Sequence, residues 1–230
     1  DYSYLNLKNK YSYLIKNILK KRDIKSNLTF VKESDCSFLL KKINNQYFKS
    51  KGNVENLAFA YKIAKNLKIS DKIIIKAINN FRALQHRQEV IFLKNKIICI
   101  NDSKATSFDA SLQSLSNYKN IYWIVGGLPK FKDKYNLKNV KKNITKAYII
   151  GKSINFFKKI IKKDTLFTIS KNLKNAVDDI FSDIKNNRKK KITILLSPAA
   201  ASFDQFKNFE ERGNDFKNLI IKKIKKKQYV

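Results

Sequence analysis

Three short stretches gather cations and hydroxyls in a way that could hold a small anion. In "INDSKATS" (100–107), an apolar run ends and Asp102, Ser103, Lys104, Thr106 and Ser107 crowd what reads as a strand-to-helix turn. Helix N-termini present free N–H groups and a positive end, so they attract anions. Lys104 adds a full charge, and the hydroxyls add donors. The same residues could equally form an ordinary N-cap through Asp102 or Ser103. In "GGLPKFKD" (126–133), Gly126 and Gly127 let the backbone approach a ligand closely, and Lys130 could reach a carboxylate or phosphate. Taken alone, that stretch reads more simply as a surface turn. In "SPAAASFDQF" (197–206), three alanines leave room, Ser202 can donate from hydroxyl and backbone, and Asp204 is placed to cap the helix that follows. A small polar socket at the carboxyl end of a strand accounts for this stretch better than a tight turn does.

Two further stretches carry less. "IIGKS" (149–153) mimics the tail of a phosphate loop, but the pattern requires Gly five residues before its Gly-Lys, where Lys146 stands. It reads as a tight strand-to-helix turn. "LQHRQE" (84–89) holds the single His of the chain, His86, beside Arg87, whose planar fork could clamp a phosphate at a hinge.

The elements that must position these residues follow from periodicity. Residues 38–67 read as a strand-like piece turning into a helix, with apolar residues from Asn53 to Leu67 at helical spacing. "SDKIIIKAINNF" (70–81) opens on a Ser70/Asp71 cap signal and reads as a second amphipathic helix packed on the first. "EVIFLKNKIICIND" (89–102) reads as two β runs joined near Lys94-Asn95 in a hairpin. Strands at 121–127, 147–151, 165–169 and 191–197 then alternate with helices, the last running from about Phe203. This alternation predicts an α/β fold: a Rossmann-like, mostly parallel sheet covered on both faces, with a β-hairpin at its start. Ligands in such sheets sit at the carboxyl ends of the strands, where the quoted loops fall. The boundary between the two parts is expected near Phe81–Glu89.

The chain has 50 Lys and Arg against 18 Asp and Glu, a formal charge of +32. Taken alone, this suggests a polyanion partner. The lysines are scattered among Ile, Leu, Phe and Asn rather than focused, so no specific nucleic-acid partner is expected, only weak salt-sensitive attraction. The runs at 186–191 and 220–230 read as solvated helix ends. Cys36 and Cys99 stand far apart among apolar neighbours and read as buried free thiols in a reducing compartment. With one His, a zinc site is not expected. No apolar run reaches the roughly 18 residues of a membrane span, and no signal peptide is visible.

"INDSKAT", "GGLPKFKD" and "LLSPAAASFDQFKNFEERG", in this order and spacing, resemble the C-terminal domain of the Mur ligases, nearest to the members that add D-glutamate. "LQHRQE" resembles that family's Leu-Pro-His-Arg hinge, and "GNVENLAFAY" (52–61) its His-Asn-x-x-Asn helix start. The resemblance covers about residues 50–220. It implies an ATP-dependent acid–amino-acid ligase that joins D-glutamate to UDP-N-acetylmuramoyl-L-alanine through an acyl phosphate. It further implies ATP and Mg2+ as cofactors, a cytoplasmic monomer, and a role in peptidoglycan synthesis. Carried over by position, Lys104, Thr106, Lys130, Ser202 and Phe209 are similar to the D-glutamate pocket. Asn53, Asn56, Arg87 and Asp102 are similar to the ATP contacts.

Gly52, Ala83 and Gln85 depart from the family pattern, which commonly has His, Gly and Pro there. The family's phosphate loop and metal ligands have no counterpart in these residues, so no catalytic residue is assigned. On the resemblance, 1–82 is an incomplete tail of the ATP-binding central domain, 83–230 is the amino-acid-binding domain, and the chain is a fragment expected to be inactive alone. Another Mur or folylpolyglutamate-type ligase remains open, as does a non-catalytic basic binding module.

Overall fold

A computed structural model describes residues 2–6, 17, 20, 27–49, 51–82, 84–94, 96–131, 133–186 and 191–226. The chain divides into two compact units, Asp1–Arg82 and Ala83–Val230. No helix among the described residues is long and apolar enough to cross a membrane.

In the first unit, β1 (Tyr2–Asn6) pairs in parallel with β2 (Asn27–Val31). The stretch "DYSYLNLKNKY" (1–11) reads in sequence as a strand and a following turn, of which 7–11 lie outside the described residues. A 3-10 turn then leads into α1 (Ser37–Lys42), where the sequence suggested a strand. The reason is burial at helical spacing: Cys36, Leu39 and Ile43 are buried, three and four residues apart. They share a core with Leu57 and Ala58 of α2 (Lys51–Asn66) and Ile74 and Ile78 of α3 (Asp71–Asn80), so the expected helical pair is present. Ser70 is the N-cap residue of α3, yet its side chain makes no capping bond. Asp71 instead accepts from Lys65 at 3.1 Å.

The second unit holds a six-stranded sheet in the order β3-β4-β8-β5-β6-β7. Here β3 is Glu89–Lys94, β4 Ile97–Asn101, β5 Ile121–Gly126, β6 Ile144–Ile150, β7 Phe167–Lys171 and β8 Ile192–Leu196. β3 and β4 are antiparallel, which is the expected hairpin, although Asn95 lies outside the described residues. The remaining pairs are parallel.

Alternating side chains sort onto the two faces. Ile100, Trp123, Val125, Ala147, Ile149 and Leu195 pack under α4 (Phe108–Asn117) and α5 (Ile154–Ile161). Cys99, Tyr122, Ile124, Tyr148, Ile194 and Leu196 pack under α6 (Leu173–Asp183) and α7 (Phe209–Lys226). Strands buried on both faces read as near-continuous apolar runs, and this is the texture of "IYWIV" and "ITILL". The fold is thus Rossmann-like. Both cysteines are buried and free.

β8 is the last strand in sequence but sits between β4 and β5. The loops leaving β4, β8 and β5 are therefore neighbours at the carboxyl edge, where an open α/β sheet places its ligand.

Candidate functional site

Three loops meet at that edge, and each is tied to the others. The β5 and β8 loops are joined by two backbone bonds of 2.9 Å, Leu128 N to Ala201 O and Ala201 N to Leu128 O. The β5 loop reaches the β4 side through Asp133, whose Oδ2 accepts the Phe108 N–H at 2.7 Å in the first turn of α4. The cap of α4 proper is Ser107, which accepts from Ala110 N, and neither Asp102 nor Ser103 serves. The reason is distance along the chain: six residues separate the end of β4 from the start of α4.

Asp102 is turned inward. Its Oδ2 accepts from Ser114 Oγ at 2.5 Å and Ser197 Oγ at 2.9 Å, and its Oδ1 accepts from Gln88 N at 3.2 Å. Burial pushes its carboxyl up to about 6, although the three donors and Arg87 oppose the rise. A carboxyl that is more basic folded than unfolded favours the fold at low pH. That stability is lost as pH climbs from the ordinary value of 3.8 through about 6. The shift corresponds to about 3 kcal/mol. We therefore expect the stability of the wild type, measured against Asp102→Asn in urea, to fall over this window and level off above it. A constant difference would contradict this.

Lys104 is half-buried, and its Nζ stands 3.8 Å from the centroid of the Phe209 ring. This is a cation–π contact that holds the ammonium at the loop. Thr106 is half-buried beside it, its N–H donating to the Lys104 carbonyl at 2.8 Å. Lys130 is exposed on the β5 loop. Ser202 is 2% exposed, and its hydroxyl has no hydrogen-bond partner among the described residues. Its carbonyl accepts from Gln205 N and Phe206 N, which shapes the loop around it. Phe209 contributes its ring to Lys104 and its carbonyl to the Ser103 hydroxyl at 2.8 Å.

Asp204 does not cap the final helix. Its Oδ2 accepts from Lys152 N at 2.7 Å in the β6 loop. The helix begins at Phe209 rather than near Phe203, and Asn208 Oδ1 accepts from Glu211 N at 2.8 Å in its place.

Arg87 is exposed and His86 is buried. The His86 imidazole lies 2.9 Å from Asn101 Nδ2, and burial holds it below its usual pKa, with Glu89 opposing. In the first unit, Asn53 is buried and donates to the Tyr47 carbonyl at 2.8 Å, while Asn56 is exposed. Among the described residues no three His, Cys, Asp or Glu converge as metal ligands.

Sequence reasoning missed Arg212. It is 1% exposed, and its guanidinium donates to Ser103 Oγ at 3.0 Å, Ser103 O at 2.9 Å and Ala200 O at 3.2 Å. Burial lowers its pKa to about 10, so it remains cationic at neutral pH. A signal was available: Arg212 shares the α7 stripe of the buried Phe216, Ile220 and Ile224, four residues apart.

No family model matches the chain. The UDP-N-acetylmuramoylalanine–D-glutamate ligase of Rickettsia felis is 37% identical over 189 residues, which are 82% of this chain and 42% of that protein. The enzyme of the same name from Rickettsia prowazekii is 34% identical over an alignment 233 positions long that covers 95% of this chain and 52% of that protein. The chain thus spans about half the length, or less, of these curated relatives. Among solved structures, the UDP-N-acetylmuramoylalanyl-D-glutamyl-2,6-diaminopimelate–D-alanyl-D-alanyl ligase of Acinetobacter baumannii matches with a TM-score of 0.57 at 12% identity. That match covers 96% of this chain and 51% of that one. The UDP-N-acetylmuramate–alanine ligase of Thermotoga maritima matches with a TM-score of 0.53 at 13% identity, covering 77% of this chain and 39% of that one. These structural matches speak to the fold alone; the curated relatives, at 34–37% identity over most of this chain, show that it belongs to the Mur ligase family.

Proposed function

We propose that this chain is the amino-acid-binding part, with a portion of the ATP-binding part, of a ligase that adds D-glutamate to UDP-N-acetylmuramoyl-L-alanine. The reaction would activate the peptide carboxylate with ATP as an acyl phosphate, which the amine of D-glutamate then attacks. The observation that carries the reading is that the loops bearing Lys104 and Thr106, Lys130, and Ser202 leave neighbouring strands at the carboxyl edge, with the β5 and β8 loops joined by backbone bonds and the buried Ser202 hydroxyl unpartnered among the described residues.

The chemistry is consistent with a dicarboxylate. Two ammonium groups can each meet one carboxylate, and charge-assisted bonds are the stronger ones. A buried hydroxyl without a partner costs about 1–3 kcal/mol, and a ligand carboxylate oxygen would offset that cost. Both Rickettsia relatives are named as D-glutamate ligases, which favours D-glutamate over other amino acids. Asn53, Asn56, Arg87 and Asp102 remain proposed nucleotide contacts. For Asp102 this requires the ribose to reach a carboxylate already receiving three donors. The residues at hand supply orientation and charge complementarity, and the transferring phosphate and its Mg2+ would be held by residues other than these.

Expressed from its complete reading frame, the protein is expected to release ADP only when the muramoyl-alanine nucleotide and D-glutamate are both present. Ser202→Ala and Lys130→Ala should each raise the KM for D-glutamate about tenfold or more, the size of one lost charge-assisted bond. ADP release that responds to a different amino acid would instead assign the protein to another ligase of the family.

A further inference from the structure

We infer that Arg212 is a positioning residue for the amino-acid socket, setting from within the protein the separation between the loop of Lys104 and Thr106 and the loop of Ser202. The inference rests on the proposed socket. A guanidinium taken out of water usually brings a carboxylate with it. Among the described residues, no carboxylate lies within ion-pair distance of Arg212, and Asp204 acts on it only at longer range. Its donors go to main-chain carbonyls instead, Ser103 O on the β4 loop and Ala200 O on the β8 loop, with Ser103 Oγ between. The Ser103 hydroxyl passes the connection on to the Phe209 carbonyl, and the Phe209 ring carries Lys104.

A planar fork fixes the spacing of two carbonyls, whereas an ammonium, as a single point charge, does not. An apolar side chain would suit this position on the α7 stripe if packing were its only task, since Phe216, Ile220 and Ile224 continue the same stripe. The unpaired charge also adds a positive field at an edge that is to receive an anion.

The test uses Arg212→Met, which keeps an unbranched stem without charge, and Arg212→Lys, which keeps charge without the fork. Both are made in the protein expressed from its complete reading frame. Both variants should raise the KM for the amino acid by about tenfold or more, with the KM for ATP and for the nucleotide substrate changed less than about twofold. An equal rise in all three constants, or a loss of thermal stability with the amino-acid KM unchanged, would make Arg212 a structural staple and overturn the inference. The wild type is assayed in parallel with D-glutamate and other amino acids. If it prefers another, the D-glutamate reading fails, and the KM split is then read on the preferred amino acid. Amide exchange on the 230-residue chain gives a readout independent of turnover. Arg212→Lys should accelerate exchange at 103–106 and 199–202 while leaving β5 and β6 protected. Unchanged exchange in both loops would also overturn the inference.

Discussion

Replacing Gly127 with alanine is expected to lower the stability of the second unit by about 3 kcal/mol or more, through two separable costs. Gly127 has a φ of +131°, which L side chains rarely adopt. An added Cβ would also lie 2.2 Å from the Ala201 carbonyl oxygen, closer than any non-bonded pair can approach. That oxygen accepts the Leu128 N–H and is part of the rigid join between the β5 and β8 loops, so it cannot move away freely. Relieving the clash means giving up backbone bonds worth about 1 kcal/mol each, in addition to the backbone strain. Urea unfolding of the wild type and Gly127→Ala, with Leu128→Ala as a control, checks this. Equal midpoints for all three would show that the join is softer than its geometry implies.

The largest effect on function is expected from Lys104→Met, which keeps the stem and removes the ammonium. The KM for the amino acid should rise about 100-fold, the equivalent of roughly 2–3 kcal/mol for a charge-assisted bond lost in a partly buried site. The KM for ATP should change little. Lys104 is suited to this role because its Nζ is held over the Phe209 ring rather than free in water, so less freedom is lost when a carboxylate arrives. Steady-state kinetics of the protein from its complete reading frame decide the matter. An unchanged amino-acid KM would remove Lys104 from the socket.

How much was legible depended on the kind of signal. The apolar runs "IYWIV" and "ITILL" announced strands buried on both faces, and the hairpin at 89–101 followed from two β runs joined at Lys94-Asn95. The β7 strand was placed two residues early, because the β-prone run "TLFTI" stops at Ile169 whereas the strand continues through Ser170 and Lys171, whose types do not favour it. Residues 38–42 misled because Phe38-Leu39-Leu40 is a short apolar run, and such runs do not separate strand from helix by periodicity.

The loops were legible as chemistry but not as geometry. Lys104, Thr106, Lys130 and Ser202 could be named from type and position. That β8 inserts between β4 and β5, bringing their loops together, is a matter of topology that no local pattern encodes. Asp204 was misread as a cap, and the capping alternative left open for Asp102 did not hold, for the same reason. Asp102 and Asp204 are good capping residues in isolation, yet long-range partners, Ser197 in one case and Lys152 N in the other, claimed their carboxylates. Arg212 was overlooked because one more cation in a chain of 50 Lys and Arg carries little information until its helical face is drawn.

On the proposed function, the three loops at the carboxyl edge of the sheet receive D-glutamate. The most direct measurement is a titration of the 15N-labelled 230-residue chain with D-glutamate, followed by amide chemical shifts, with L-glutamate as the control. Saturable shifts are expected at Ser103–Thr106, around Lys130 and at Ser202–Phe209, weaker or absent with L-glutamate, and abolished by Lys104→Met. Shifts scattered over the lysine-rich surface, or the same in the three loops with either enantiomer, would contradict it.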